Sequence, residues 1–155
     1  MTVENINELK SIVAPLTKTI YHVLGYYTMG DGGGGDFYWH SNATDVDNGG
    51  TILSPDSSLG LNGRWKRSYD GVLNIRWFGA KGYGGIDDTI AIQKALDTAS
   101  VLKCKVILPN NNGVYTITDT LLVKSNTTIE FQAFVKLISS STKGSAVSVF
   151  SGDVN

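Results

Sequence analysis

Cysteine is almost absent from this 155-residue chain: Cys104 stands alone, so no disulfide forms within it and folding must rely on burial. Charge is scarce as well. Only 17% of residues are charged and the formal net charge is −1, so there is no electrostatic pull toward nucleic acid or anionic lipid, which takes clustered Lys and Arg. No apolar run approaches the roughly 18–20 residues that a membrane span requires. Glu4, Glu8 and Lys10 interrupt the apolar pattern at the N-terminus, which does not read as a secretory signal. Glutamate is limited to Glu4, Glu8 and Glu130, and histidine to His22 and His40. Two histidines and one cysteine without ligand spacing make no metal motif, and no G-x-S-x-G nucleophile motif is present. The sequence therefore predicts no catalytic, metal or cofactor residues in this chain.

Glycine, by contrast, is plentiful: 18 residues, above ordinary usage, which predicts many turns and short strands. Four stretches follow one another. From Asn5 to Val13, Ile6, Leu9, Ile12 and Val13 recur at helical spacing, and Pro15 ends the pattern. Such a short helix is marginal alone. Its stripe packs either on a partner or neighbouring subunit, or on its own domain. From Leu16 to about Asn74 the chain reads as all-β. Thr19–Tyr27, Phe37–His40, Gly50–Leu53 and Arg64–Tyr69 alternate with the turn clusters GDGGGGD, DVDNGG and YDG. A small β-sandwich or a pair of packed hairpins is expected. Within Arg64–Tyr69, Trp65, Arg67 and Tyr69 share one face. So small a core usually needs staples or oligomerisation, and the subunits of an assembly would complete it.

A third stretch, 74–102, places Ile92, Ala95, Leu96, Ala99 and Leu102 on one helical face. In the fourth, KVIL (105–108), TIEF (128–131) and AVSVF (146–150) recur about every twenty residues, with VYTI (114–117) and TLLV (120–123) between them. A period near twenty suggests a solenoid of stacked coils. Such arrays need more coils than this length holds, and no capping pattern closes the sequence, so it reads as the front part of a longer protein.

Ahead of the helix at 87–102 lies GAKGYGGIDD. A phosphate loop needs G-x-x-x-x-G-K-[ST], but Gly85 and Ile86 occupy the Lys and Ser/Thr positions. The dinucleotide pattern fails as well, because Asp87 stands where its last glycine belongs. Asp87 and Asp88 are instead expected to cap the helix, accepting from its first amides and repelling a phosphate. The glycines then supply positive φ and close backbone approach. Two adjacent aspartates at a helix start do not make the opposed carboxylate pair of a glycosidase. DVDNGG lacks the oxygen ligand a calcium loop needs at its fifth position, which is Gly49.

WFGAKGYGGIDDTIAIQKALDTA and VILPNNNGVYTITDTLLVKSNTTIEF together resemble the entry segment of the pectate-lyase-like right-handed β-helix superfamily. There, F-G-A-x-G-D-G-x-x-D-D-T-x-A-I-Q opens a helix that covers the end of the β-helix, and V-x-L-P-x-G-x-Y-x-I forms the first coil. Tyr83 departs from that pattern, as does the longer turn at Asn110–Asn112. VLGYYTMGDGGGGDFYWHSNATDVDNGGTIL and GRWKRSYDGVLNIRWFGA are similar to the particle-binding head regions of tailed-phage tailspikes. The resemblance implies a mainly β chain: an all-β virion-binding head at 1–74, then at 75–155 an α+β neck leading into the first coils of a right-handed parallel β-helix. It implies a homotrimer anchored to a tail or baseplate protein or to another tailspike, located in the virion after synthesis in the host cytoplasm. The polysaccharide-cleaving residues of such a depolymerase would lie outside this chain, which is then not itself an enzyme. Ile6, Leu9, Ile12, Tyr26, Tyr27 and Trp39 are the candidate partner or subunit contacts. Aromatic faces also stack on sugars, so a carbohydrate-binding module is the competing expectation, and a fragment of a polysaccharide lyase or glycoside hydrolase the third.

Overall fold

A computed structural model describes residues 1–12, 15, 19–56, 62–110, 113–140 and 147–149. The chain divides into two units, one comprising Met1–Asp70 with Trp77–Gly79, the other Gly71–Arg76 with Ala80–Asn155.

In the first unit, β1 (Thr2–Val3) leads into α1 (Ile6–Ser11), then β2 (Ile20–Val23), β3 (Gly35–His40), β4 (Ile52–Leu53) and β5 (Arg64–Arg67). The strands form one five-stranded sheet in the order β1-β2-β3-β5-β4. β1 runs parallel to β2 and the remaining pairs are antiparallel. Parallel neighbours need a crossover, and α1 lies in the connection between them. Asn5 starts it: its side-chain oxygen accepts the Glu8 amide at 3.0 Å, while Glu8 Oε2 accepts the Glu4 amide at 2.6 Å. Alternation in the strands buries Val3, Tyr21, Val23, Phe37, Trp39, Leu53 and Trp65 on one face, and α1 lays Ile6 and Leu9 into the same cluster. Trp65 is the hub, with Tyr21 and Trp39 edge-on at 4.9 and 5.2 Å. No second sheet is therefore needed. The expected sandwich is a single sheet whose other layer is a six-residue helix, and Val13 falls outside the described residues.

The second unit is built of stacked coils. β6 (Val72–Asn74) and β7 (Tyr83–Asp87) precede α2 (Thr89–Leu102), which is followed by β8 (Lys105–Leu108), β9 (Val114–Ile117), β10 (Leu121–Val123), β11 (Thr128–Phe131), β12 (Lys136–Ser139) and β13 (Val147–Val149). All pairings are parallel and fall into three sheets, β6-β8-β11, β7-β9-β12 and β10-β13. That is a parallel β-helix with α2 packed against it. Val106, Leu108, Tyr115, Ile117, Leu121 and Val123 are buried, and Leu108, Leu121 and Val123 line one apolar space with Ile92 and Leu96 of the helix. Leu102, expected on that face, is exposed where the helix ends in a left-handed Lys103.

Three sequence expectations change. Val72–Asn74, placed in the head, pairs with β8 in the second unit. Tyr83–Asp87, read as loop, is a strand paired to β9 through an irregular register. The run at 146–150, of which 147–149 are described, is expected one repeat after TIEF. Its described part, β13, pairs with β10, because each coil contributes to three sheets and the nearest sequence repeat belongs to a different one.

Candidate functional site: the capping loop and the head surface

The glycine loop is organised by the aspartate that follows it. Gly79, Gly82, Gly84 and Gly85 have φ of 96°, 65°, 68° and 71°, the left-handed region that glycine enters without strain. At Gly82 the space is closed as well: a Cβ would stand 2.7 Å from the Tyr115 ring and 2.8 Å from an Arg76 nitrogen. Asp88 occupies the N-cap position of α2, yet its carboxylate makes no cap bond to the helix. It turns back, accepting the Lys81 amide at 2.6 Å and the Gly82 amide at 3.0 Å. The predicted cap is thus a loop anchor. The two short bonds to the loop occupy both of its oxygens.

Asp88 is 1% exposed. Burial pushes its carboxyl above the ordinary aspartate value, against the two amides and the charge of Arg76, which pull it down. Arg76 is equally buried, donates from Nε to the Tyr115 hydroxyl at 3.1 Å and lies 5.6 Å from that ring. The Tyr115 hydroxyl in turn donates to the Pro109 carbonyl at 2.8 Å. Asp87 is exposed. It accepts from the Thr89 amide at 2.9 Å and from the Thr118 hydroxyl at 2.7 Å, which ties the helix start to the turn after β9. Its acidity is raised chiefly by the Thr89 hydroxyl. The two aspartates therefore face different environments and share no ligand position. Among the described residues no three His, Cys, Asp or Glu side chains gather as a metal site.

In the first unit the candidate contact residues are mostly spent on its own core. Leu9 is fully buried, and Ile6 and Trp39 are 3% and 8% exposed. Ile12 and Tyr26 are half-buried against the same cluster. Only Tyr27 is exposed, and its hydroxyl donates to the Gly79 carbonyl at 3.0 Å. The helix stripe, expected either at a partner or subunit interface or on its own domain, lays Ile6 and Leu9 into the unit's own core. The opposite face carries Ile20, His22, Asp36, Tyr38 and His40 exposed, with Ile20 and Tyr38 in register and His22 bonded to Asp36 at 2.7 Å. Asp45 and Asp47 act as turn residues. Asp47 accepts the Gly49 and Ser54 amides and pairs with Lys10 at 3.2 Å, while Asp45 pairs with Lys66 at 3.0 Å.

Sequence reasoning missed Arg67. It is 4% exposed, has no carboxylate paired with it among the described residues, and donates to the carbonyls of Gly50, Gly34 and Gly33 at 3.0, 2.5 and 2.9 Å. Phe37 and Trp77 lie over its guanidinium at 4.4 and 4.7 Å. Burial pulls its pKa down to about 9. The signal was its place on the Trp65 face.

Comparison with known proteins follows the same division. Residues 2–70 match the phage tail protein small four-stranded β-sheet domain. A 72-residue stretch is 39% identical to part of a non-secreted LysM effector of Penicillium expansum, covering 46% of this chain and 6% of that protein. Among solved structures, the enzymatically active domain of bacteriophage CBA120 tailspike protein 2 superposes with a TM-score of 0.77 at 20% identity, over 96% of this chain and 21% of that one. The Acinetobacter baumannii phage AM24 tailspike gives 0.63 at 26% identity, over 78% and 19%. Tailspike gp49 of Acinetobacter baumannii bacteriophage Fri1, described as a capsular polysaccharide depolymerase, gives 0.69 at 22%, over 84% and 23%. The chain thus spans about a fifth of the length of these structures. Residues 2–70 are thus similar to a phage tail sheet domain, and the chain shares its fold with part of the phage tailspike structures.

Proposed function

We propose that this chain is the attachment and entry module of a homotrimeric phage tailspike. Unit one docks the spike to a tail or baseplate protein or to another tailspike, in the virion. Unit two begins the β-helix that recognises or depolymerises host polysaccharide. The observation that carries this reading is the order of parts: a phage tail sheet domain at 2–70 is followed by coils of a parallel β-helix. The module acts by binding, through surface complementarity and subunit symmetry. The aspartates at the helix start support a non-catalytic role, since both are engaged in holding local structure.

A second reading has its own observation. The CBA120 fragment described as enzymatically active covers 96% of this chain. On that reading unit one belongs to the depolymerase body rather than to the docking head. Light scattering on the chain tests assembly, with a trimer expected and a monomer at micromolar concentration counting against the model. Binding to spike-free tails separates the two readings: the attachment module is retained and a part of the depolymerase body is not. A saccharide-dependent change in Trp fluorescence would indicate a carbohydrate-binding module, and loss of polymer viscosity an enzyme.

A further inference from the structure

The phage tail domain match stops at Asp70, but the unit that holds the sheet does not. It is completed by three residues from further along, Trp77, Phe78 and Gly79, while Gly71–Arg76 and the chain from Ala80 belong to the other unit. Each of the three has its own receptor on the sheet domain. The Trp77 ring lies 4.7 Å from the Arg67 guanidinium and 5.7 Å from the Tyr69 ring, edge-on at 66°. Phe78 is 3% exposed and lies flat on Gly50, where a Cβ would stand 2.7 Å from its ring carbons. The Gly79 carbonyl accepts the Tyr27 hydroxyl at 3.0 Å, and its α-carbon is so close to the Tyr26–Tyr27 pair that a Cβ would stand 2.8 Å from the Tyr27 oxygen.

We propose that Trp77–Phe78–Gly79 is a strap that closes the sheet domain, so that a domain bounded at Asp70 is structurally incomplete. The receptor explains an otherwise costly arrangement. Arg67 is a buried cation whose hydrogen-bond acceptors among the described residues are carbonyls of glycine turns, which satisfy its donors but supply no opposing charge. Phe37 covers one ring-width of it, and Trp77 supplies a second aromatic face. Lifting the strap removes that second face and bares Gly50, so the carbonyl cradle at Gly33, Gly34 and Gly50 is opened to water. Tyr27 and Trp77 are committed to this closure.

Hydrogen exchange on the full chain tests it, because exchange reports local opening segment by segment. The Arg67 and Ser68 amides, bonded to Thr51 and Asp36 across the sheet, are the reporters for the first unit, and β8–β9 amides for the second. Trp77→Ala should accelerate the first set by about tenfold or more and Tyr27→Phe by about threefold, with β8–β9 changed by less than about twofold, tenfold corresponding to roughly 1.4 kcal/mol of opening energy. Unchanged Arg67 and Ser68 exchange in both variants would overturn the proposal. So would an equal rise in β8–β9, which marks general destabilisation. If Trp77→Ala does not fold, Trp77→Phe and Tyr27→Phe decide by the same criteria.

Discussion

The Asp88 carboxylate accepts the Gly82 amide at 3.0 Å, six residues behind the helix whose N-cap position Asp88 occupies. A loop anchor and a cap respond differently to substitution. Serine is a good N-cap but too short to reach Lys81 and Gly82. Asp88→Ser should therefore destabilise the protein nearly as much as Asp88→Ala, each by about 2 kcal/mol, since two buried amides lose their acceptor. Urea denaturation checks this, and full rescue by serine would restore the capping role.

Gly82 and Gly85 share the left-handed conformation but not the surroundings. Nothing lies within 4 Å of a Cβ built on Gly85, whereas one on Gly82 meets Tyr115 and Arg76. Gly85→Ala should cost about 1 kcal/mol from backbone strain alone. Gly82→Ala should cost about 1–3 kcal/mol more through overpacking. The denaturation midpoints of the two variants give the comparison directly.

Leu9→Ala distinguishes interior from interface. Leu9 is fully buried in its own unit, so the substitution should cost about 2–5 kcal/mol of stability, the range for a core leucine. The molar mass by light scattering should stay at the wild-type value. A change of mass without loss of stability would return α1 to the subunit interface.

Acid should loosen the first unit through Asp31. Its carboxylate accepts the amides of Tyr26, Tyr27, Thr28 and Gly33 at 2.8, 2.7, 3.1 and 2.8 Å. Burial opposes its charge, but the amides prevail and hold its pKa below the ordinary aspartate value. The folded state thus binds this proton less readily than the unfolded chain. The stabilisation is present above the unfolded pKa, near 3.9, and is lost as pH falls through the lower folded value. Asp31→Asn should flatten the fall in melting temperature between about pH 5 and 2, measured by circular dichroism.

The strands of the first unit were legible because alternation there is a direct image of burial: Trp65 and Arg67 fall on the face the pattern assigns them. The helix at Thr89–Leu102 was equally legible, since Ile92, Ala95, Leu96 and Ala99 repeat at its period. Coil stacking was only half visible. Val106 sits in register with Ile129, but β13 finds β10, and spacing alone does not say which of three sheets a strand joins. The strand Tyr83–Asp87 was hidden by its two glycines, which disfavour a sheet by propensity and are held there by parallel pairing to β9. Asp88 lay in plain view with the wrong role, because a carboxylate reaching backward leaves the same sequence signature as one reaching forward.

The GDGGGGD segment would be floppy by composition, yet charges of opposite sign hold it from two directions. Asp31 gathers the Gly33 amide within it and the amides of Tyr26, Tyr27 and Thr28 just ahead of it, and Arg67, arriving from a distant strand, gathers the carbonyls of Gly33 and Gly34. Tolerance to mutation in that run should accordingly be governed in part from outside it. A position such as Gly30, with open space around it, needs only its backbone freedom, whereas the architecture of the whole bend is lost with one guanidinium more than thirty residues away.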